Sequence, residues 1–280
     1  MAMEPVARRS ILQTAITLIA ADPTAADVLI VDPARAQNIP GSITFGVKAL
    51  LFDVFGTCVD WRTSVARETE LILKPRGYNL DWLAFASAWR SGYDPAMEEV
   101  RSGRIPFVQL DLLHRTILDA LLPKYGAKPL PEEVAQNLNH VWHRLDGWPD
   151  LTSGMGRLSD KLLVAPCSNG NVSLMMDIAR RNKIRFDAIL GAEIAQDYKP
   201  KPRVYLSAVE AFGLLPSECM MICAASHTGD IQAASKLGLK TGTLDRPNEH
   251  GPGNPGASFP KIPVDIVATD LNDLAEKLGV

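Results

Sequence analysis

Short apolar runs alternate with amphipathic helical patterns through the second half of the chain. Such a run is typical of a buried strand, and a helical pattern between two runs predicts a crossover connection. Because crossovers join parallel strands, we predict an α/β fold with a parallel sheet flanked by helices on both faces. The predicted strands are residues 161–166, 188–191, 219–224 and 240–244, and the predicted helices are residues 171–182, 201–213 and 230–238.

A further strand is predicted at residues 47–52, where an apolar run ends on Asp53 and enters a turn at Gly56. Asp and Gly could serve the turn alone, but a charge directly after a buried run needs compensation, which favours a functional role. Reactive groups of parallel sheets gather at the carboxyl ends of the strands. We therefore interpret Asp53 as a nucleophile.

The segment that follows this strand has a different character. Residues 64–145 show helical periodicity with few β-branched runs, which predicts an inserted helical domain. The expected domains are an N-terminal extension at residues 1–45, a Rossmann-like core at residues 46–63 and 150–280, and a helical cap at residues 64–149.

The N-terminal extension permits two interpretations. Arg8-Arg9, an apolar stretch and Ala34-Arg35-Ala36 resemble a twin-arginine export signal with its cleavage site. Three aspartates interrupt the apolar path, so an amphipathic or disordered extension is the alternative. No stretch reaches the roughly 20 apolar residues that span a bilayer. We expect a cytoplasmic protein, or a periplasmic one if the export signal works.

Charge and composition narrow the class of partner. The chain carries 29 basic and 32 acidic residues, a net charge of -3, so neither nucleic acid nor an anionic membrane is favoured. We expect a small molecule as the partner. The cysteines lie far apart or on one apolar run, which suits neither a zinc site nor a disulfide framework and predicts buried apolar residues. They are Cys58, Cys167, Cys219 and Cys223.

Polar residues follow three further predicted strands. Ser168 and Asn169 could hold an anion at the start of a helix, or could only cap that helix. Lys199 could be a solvated surface charge, but we predict that it points inward and keeps Asp53 ionised, with Tyr205 about two turns on. In the last loop, His227 could be a neutral hydrogen-bonded side chain and Asp230 a helix cap, and both could equally face the site.

These segments, in this order and with an insert after the first, resemble the haloacid dehalogenase superfamily over about residues 46–250. The type II 2-haloacid dehalogenases are the most similar group. The similarity rests on Phe52-Asp53-Val54-Phe55-Gly56-Thr57, Asp60-Trp61-Arg62, Ala88-Trp89-Arg90, Ser168-Asn169-Gly170, Tyr198-Lys199-Pro200 with Arg203-Val204-Tyr205, and Asp245-Arg246-Pro247 with Glu249-His250-Gly251-Pro252.

Two absences favour the same group. Phosphatases of the superfamily carry a second Asp two residues after the nucleophile as a general acid, where this chain has Phe55. They also place a Mg²⁺-binding acid four residues before Asp230, where this chain has Ser226. A reaction without that acid must expel a leaving group that is already stable as an anion, such as a halide. We expect metal-independent catalysis without a cofactor, with Lys199 as the counter-charge.

The resemblance implies hydrolysis of short 2-haloalkanoic acids to 2-hydroxy acids, with an ester on Asp53 as the intermediate. It assigns halide binding to Arg90, with Asn169 as a second candidate, and substrate binding to Thr57 and Ser168, with Phe55 and Tyr205 beside the substrate. Lys199 and Asp230 would orient and activate water. The insert residues Trp89, Trp142 and Trp148 could exclude water, or could only pack the insert. The family further suggests the L isomer and a homodimer.

One departure from the family concerns the last loop. Many members have Ser and Asn where this chain has Ala225 and His227, and a smaller group has Ala-Ala-His as here. His227 could donate a hydrogen bond to a halide or take a proton from water. Two other functions remain open: a Mg²⁺-dependent small-molecule phosphatase and a non-catalytic binding protein.

Overall fold

The structure is a computed structural model, and it describes residues 46–251 and 262–280. The predicted export segment, including Arg8-Arg9 and Ala34-Arg35-Ala36, lies outside the described residues, and so does most of the linker into the core. In the part of the chain that is described, no helix has the length and apolar character needed to cross a membrane.

Within these residues, six parallel strands form one sheet. They are β1 (Ala49–Phe52), β4 (Leu163–Ser168), β5 (Leu190–Gly191), β6 (Cys219–Ala224), β7 (Lys240–Leu244) and β8 (Ile266–Ala268), in the spatial order β5-β4-β1-β6-β7-β8. The predicted parallel sheet is therefore confirmed, with the Asp53 strand between β4 and β6. The predicted strand at 161–166 lies two residues further on, because Cys167 and Ser168 pair with β5.

Helices of the core connect these strands. They are α6 (Leu151–Ser159), α7 (Val172–Arg181), α8 (Ala192–Ala195), α9 (Pro202–Ala211), α10 (Thr228–Lys236) and α11 (Leu271–Leu278). The three helices predicted in this region correspond to α7, α9 and α10. Strand β8 and helix α11 were not predicted from the sequence. Asp270 accepts a hydrogen bond at 2.8 Å from the backbone N of Asp273, which fixes the start of α11.

Five α-helices lie between residues 60 and 146, and we call the segment that contains them the helical insert. They are α1 (Trp61–Leu73), α2 (Trp82–Ser91), α3 (Tyr93–Arg101), α4 (Leu110–Leu121) and α5 (Glu132–Asn139), followed by a 3₁₀ turn at His140–His143. The first helix begins before residue 64, because the side chain of Asp60 accepts from the backbone N of Thr63 at 3.0 Å and caps it.

The chain enters and leaves the insert at one place. Strands β2 (Val59–Asp60) and β3 (Asp146–Gly147) pair antiparallel, so the two ends of the insert are joined by backbone hydrogen bonds. The side chain of Asp146 also pairs with Arg67 of α1 and Arg181 of α7. These contacts connect the insert, its base and the core, and they hold the insert against the carboxyl end of β1.

Strand β1 is buried on both faces. Leu50 and Phe52 belong to one apolar cluster, whereas Ala49 and Leu51 belong to the cluster on the opposite face, as expected of a central strand between two helical layers. All four cysteines are buried and unpaired, which confirms their interpretation as small apolar residues. Asp53 follows directly after this buried strand, so its position is fixed by the core on both sides.

Candidate active site

The carboxyl ends of the strands face a cavity of about 380 Å³ between the core and the insert. Core residues that line it include Asp53 after β1, Asn169 after β4, Lys199 after β5, and His227 and Asp230 after β6. Arg90, Tyr93 and Met97 line it from the insert. The structure therefore brings charged residues that were singled out from the sequence to one cavity, although they come from widely separated segments.

Asp53 is buried, with 6% of its surface exposed, and its two carboxylate oxygens have different partners. Oδ1 accepts a hydrogen bond from Lys199 Nζ at 2.7 Å. Oδ2 accepts from Thr57 Oγ1 at 2.8 Å and lies 3.0 Å from Nδ1 of His227. Burial alone would raise the pKa of Asp53, but Lys199 and His227 outweigh it and hold that pKa well below its usual range. Asp53 is therefore a carboxylate at any physiological pH.

Lys199 lies between two carboxylates. Besides Asp53, its Nζ donates to Oδ2 of Asp230, whose other oxygen accepts from Tyr205 Oη at 2.6 Å. Burial would lower the pKa of Lys199, but Asp230 and Asp53 raise it well above its usual value. The backbone N of Lys199 donates to Asn169 Oδ1 at 2.8 Å, which fixes the loop. Lys199 thus points inward as predicted and is a permanent cation beside Asp53.

His227 lies on the other side of Asp53. Its Nδ1 faces Asp53, and its Nε2 lies 2.7 Å from Oε1 of Glu249. Burial would lower the pKa of His227, but Asp53 and Glu249 raise it to about 10. In this arrangement the ring is an imidazolium that donates to both carboxylates.

Glu249 was quoted in a sequence motif but was given no function there. It is almost fully buried, and its Oε2 accepts a hydrogen bond from Ser226 Oγ at 2.6 Å. A buried carboxylate requires partners. The acidic residue in the Glu249-His250-Gly251 segment after β7 could therefore have been considered as a partner of a site residue. Its contact with His227 depends on how the 245–251 loop folds back, which local sequence patterns do not reveal.

Three predicted substrate-binding residues form hydrogen bonds within the protein in this structure. Thr57 is fully buried, where it donates to Asp53 and accepts from the backbone N of Ala224 at 2.7 Å. Ser168 is also fully buried and accepts from the backbone N of Gly170 at 3.1 Å. Tyr205 donates to Asp230. Their direct contact with a substrate stays a prediction.

Arg90 reaches the cavity from α2. Its guanidinium carbon lies 3.8 Å from the centre of the Tyr93 ring, 5.6 Å from that of Trp61 and 5.8 Å from that of Phe55. Its Nη1 is buried without a hydrogen-bond partner, and among the described residues Arg90 forms no ion pair. A guanidinium that has one nitrogen without a hydrogen-bond partner and no carboxylate partner, and that is enclosed by aromatic rings, is suited to an anion.

The tryptophans of the insert have distinct positions. Trp89 and Trp142 are fully buried and meet edge to face at 5.6 Å, and Trp142 also contacts Phe55. Trp148 Nε1 donates to the backbone O of Gly56 at 2.9 Å. Trp89 and Trp142 therefore pack the insert behind Arg90, and Phe55 forms the apolar wall between them and Asp53.

A protein cation occupies the space between the carboxylates of this site. Lys199 Nζ bonds both Asp53 and Asp230, and the position expected for a metal-binding acid is Ser226, which donates to Glu249. Over residues 46–251 and 262–280, no group of three or more His, Cys, Asp and Glu side chains is arranged to hold a metal ion. Lys199 and His227 thus place positive charge on both sides of Asp53.

Known proteins show the same architecture. The L-2-haloacid dehalogenase PA0810 has a solved structure that is 42% identical, with a TM-score of 0.79, over 83% of this chain and 99% of that one. The defluorinating L-2-haloacid dehalogenase Rha0230 is 38% identical, with a TM-score of 0.82, over 86% and 100%. (S)-2-haloacid dehalogenase 1 of Pseudomonas sp. (strain CBS-3) is 26% identical over 72% of this chain and 86% of its own.

The sequence also matches the family of haloacid dehalogenase-like hydrolases over residues 47–236, which is more than half of the chain. Together with the positions of Asp53, Lys199 and the inserted helices, these similarities show that the chain belongs to the haloacid dehalogenase-like hydrolases, and within them to the L-2-haloacid dehalogenases.

Proposed function

We propose that this enzyme hydrolyses short L-2-haloalkanoic acids to 2-hydroxy acids through an ester on Asp53. One observation carries the proposal: a buried, ionised Asp53 lies between Lys199 and His227, while Phe55 occupies the position of the phosphatase general acid. An apolar residue there cannot protonate a leaving alkoxide. The site therefore favours a leaving group that departs as a stable anion.

In the first step, a carboxylate oxygen of Asp53 attacks C2 of the substrate, and the carbon–halogen bond breaks with its electron pair on the halide. Oδ1, which accepts only the Lys199 hydrogen bond among the described contacts, is the oxygen with more unshared density. Arg90 lies across the cavity with Nη1 unpaired, so it would bind the departing halide. A cation at this point stabilises charge that develops in the transition state.

In the second step, water attacks the aspartyl carbonyl and frees the 2-hydroxy acid. His227 touches the Asp53 carboxylate directly and would take the proton from water. Lys199 would stabilise the oxyanion that forms on the former Asp53 carbonyl, and Asp230 with Tyr205 would keep Lys199 in place. We propose that residues 64–149 act as a cap that excludes bulk water, and that the enzyme works without a metal ion.

A substrate panel tests this proposal. Halide release is measured from 2-chloropropionate of each configuration, bromoacetate, chloroacetate and fluoroacetate, with and without EDTA, for wild type and Asp53→Asn. Fluoroacetate is included because the relative Rha0230 is described as defluorinating. We expect release from the L isomer that survives EDTA and is lost in Asp53→Asn.

Two results would contradict the proposal. Hydrolysis of phosphate esters that requires Mg²⁺, without halide release, would indicate a phosphatase. Absence of both activities from folded protein would indicate a binding protein. Gel filtration of the same preparations tests the homodimer that we also propose.

A further inference from the structure

The buried Glu249 forms a contact that the first step of the reaction does not use. Its Oε1 lies 2.7 Å from His227 Nε2, on the side of the ring that faces away from Asp53. Its Oε2 accepts from Ser226 Oγ. Neither oxygen is aimed at the cavity, and Glu249 is not among the residues that line it. Any effect of Glu249 on the reaction must therefore pass through His227.

The backbone around Glu249 is shaped to admit its carboxylate. A Cβ atom at Gly56 would lie 2.2 Å from Glu249 Oε1, so the turn after Asp53 leaves room for this side chain only because residue 56 is glycine. The 245–251 loop is tied down by Arg246, which donates to the backbone O of Thr57 and forms two hydrogen bonds with Asp150. The carboxylate is thus held at a fixed place beside the histidine.

We propose that Glu249 is the positioning residue for His227 in the hydrolytic step, so that the pair acts on water as a base once Asp53 is esterified. This inference rests on the proposed function and deepens it. A carboxylate that accepts from one imidazole nitrogen holds the ring in the tautomer whose other nitrogen is a base, and it stabilises the imidazolium that forms.

The proton balance follows from the charges. In the free enzyme, His227 is an imidazolium between two carboxylates, and its pKa of about 10 depends on both. Alkylation neutralises Asp53 and releases the halide, so the pKa of His227 falls and Nδ1 releases its proton to solvent. Neutral His227, with Nε2–H donated to Glu249, then accepts a proton from the attacking water.

The tetrahedral intermediate next collapses. The bond from the aspartyl carbon to the substrate oxygen breaks, and His227 returns its proton to that oxygen to form the 2-hydroxy acid. The acid form of Asp53 that remains passes its proton to His227, which restores the carboxylate and the imidazolium. Over one turnover, water and haloacid give hydroxy acid, halide and one proton.

Other charged groups lie near His227 and influence its pKa. Asp53 and Glu249 contact His227 directly, and His250 approaches Glu249 at 3.7 Å. The other titratable or charged groups of the cavity are Arg90, Tyr93, Asp94, Arg101, Lys199 and Asp230. Of all these groups, Asp53 is the one whose charge the ester removes, which leaves Glu249 as the anion in contact with His227.

Glu249→Gln tests the inference, because it keeps the shape and removes the charge. Single-turnover halide release measures alkylation, and formation of hydroxy acid measures hydrolysis. We expect halide release to change by less than about 3-fold, hydrolysis to slow by about 10²-fold or more, and esterified enzyme to accumulate in intact-protein mass spectra. The pH profile of hydrolysis should move down by about one unit, because the anion that raises the pKa of His227 is lost.

Three further variants keep the test decisive if Glu249→Gln folds poorly. Glu249→Asp retains the charge and should recover part of the hydrolysis rate. Ser226→Ala removes a donor to Glu249, which makes that carboxylate more basic and should move the pH profile up instead of down. Asp150→Asn is the matched control, because it loosens the same loop through Arg246 without touching Glu249; it should affect alkylation and hydrolysis alike.

The outcomes separate the two proposals. Wild type that releases no halide from any 2-haloacid contradicts the proposed function itself. Wild type that releases halide, together with a Glu249→Gln variant that hydrolyses the ester at an unchanged rate and pH dependence, contradicts only the role of Glu249. Equal slowing of both steps in Glu249→Gln, as in Asp150→Asn, would mean that Glu249 only supports the loop.

Discussion

The core and the helical insert each contribute a cation to the same cavity, but these two cations have different partners. Lys199 of the core is held between the carboxylates of Asp53 and Asp230. Arg90 of the insert has aromatic rings for neighbours and forms no ion pair among the described residues. The core therefore keeps its charges matched around a permanent anion, whereas the insert keeps a cation available for the halide of the proposed reaction.

From this difference we infer that the core carries the attack on the substrate carbon and that the insert stabilises the leaving group. Networks of matched charges fix Asp53, the proposed nucleophile, in the folded enzyme and require no rearrangement when the reaction begins. In the proposed reaction, the Arg90 guanidinium, which has no carboxylate partner among the described residues, gains an anion only as the carbon–halogen bond breaks. Substitutions in the core should thus affect every substrate alike, and substitutions at Arg90 should depend on the leaving group.

The largest effect is expected from Asp53→Asn in the core. The amide is a poor nucleophile, so halide release should fall by at least about 10⁴-fold for all halides. Initial rates with a halide electrode measure it. The matched control is Asp119→Asn on the insert, where an exposed aspartate pairs with Arg115. A similar loss in both variants would show that Asp53 has no special part in the reaction.

Arg90→Met should have the next largest effect on halide release, and the size of this effect should depend on the halide. Removing one charge that stabilises the leaving group costs about 10²–10³-fold in kcat. The loss should be greatest for fluoride, smaller for chloride and smallest for bromide, because poorer leaving groups need more stabilisation. Arg104→Met, which removes a half-exposed arginine paired with Glu99, should change kcat little. The same fractional loss for every halide would contradict the assignment of Arg90 to the leaving group.

A histidine in each region allows the comparison to be extended to stability. His227 has a folded-state pKa of about 10, above the usual 6.5, so its stabilisation is complete below about pH 6.5 and is lost as the pH rises towards 10. We expect His227→Gln to lower the free energy of unfolding by about 1–3 kcal/mol at pH 6 and by much less at pH 10. Urea unfolding at the two pH values measures it.

His143 of the insert provides the contrast. It lies between Asp111 and Asp177, and although burial would lower the pKa of His143, these carboxylates raise it, so the sign of its effect is the same. Because Asp177 is 48% exposed, solvent screens the pair and His143→Gln should cost less than His227→Gln at pH 6. A larger cost for His143→Gln would contradict the view that the core holds the more strongly coupled charges.

The last comparison concerns two glycines with nearly the same backbone conformation. Gly56 of the core has φ +87°, and Gly77 of the insert has φ +86° with open space around it. Gly77→Ala should cost about 1 kcal/mol of unfolding free energy from backbone strain alone, and Gly56→Ala about 3 kcal/mol, because its Cβ displaces Glu249. Thermal unfolding measures the difference. Equal costs would mean that Glu249 is free to move.

Some features of the fold and the site could be predicted from the sequence, and others could not. Asp53, Lys199 and the 225–230 loop could be placed because strand ends of a parallel sheet meet at one edge, whatever their distance along the chain. Glu249 could not, since its contact depends on a loop that folds back over Gly56. The aromatic setting of Arg90 depends on helix packing within the insert, which periodicity does not determine. Strand β8 is only three residues long, too short for a pattern.

The central claim is that Asp53, and not water, attacks the substrate carbon. A single turnover with enzyme in excess over an L-2-haloacid in ¹⁸O-labelled water tests it most directly. We predict that the 2-hydroxy acid is unlabelled and that the peptide containing Asp53 carries the label, because the product takes its oxygen from Asp53 and water refills the carboxylate. Labelled hydroxy acid with an unlabelled Asp53 peptide would contradict the account.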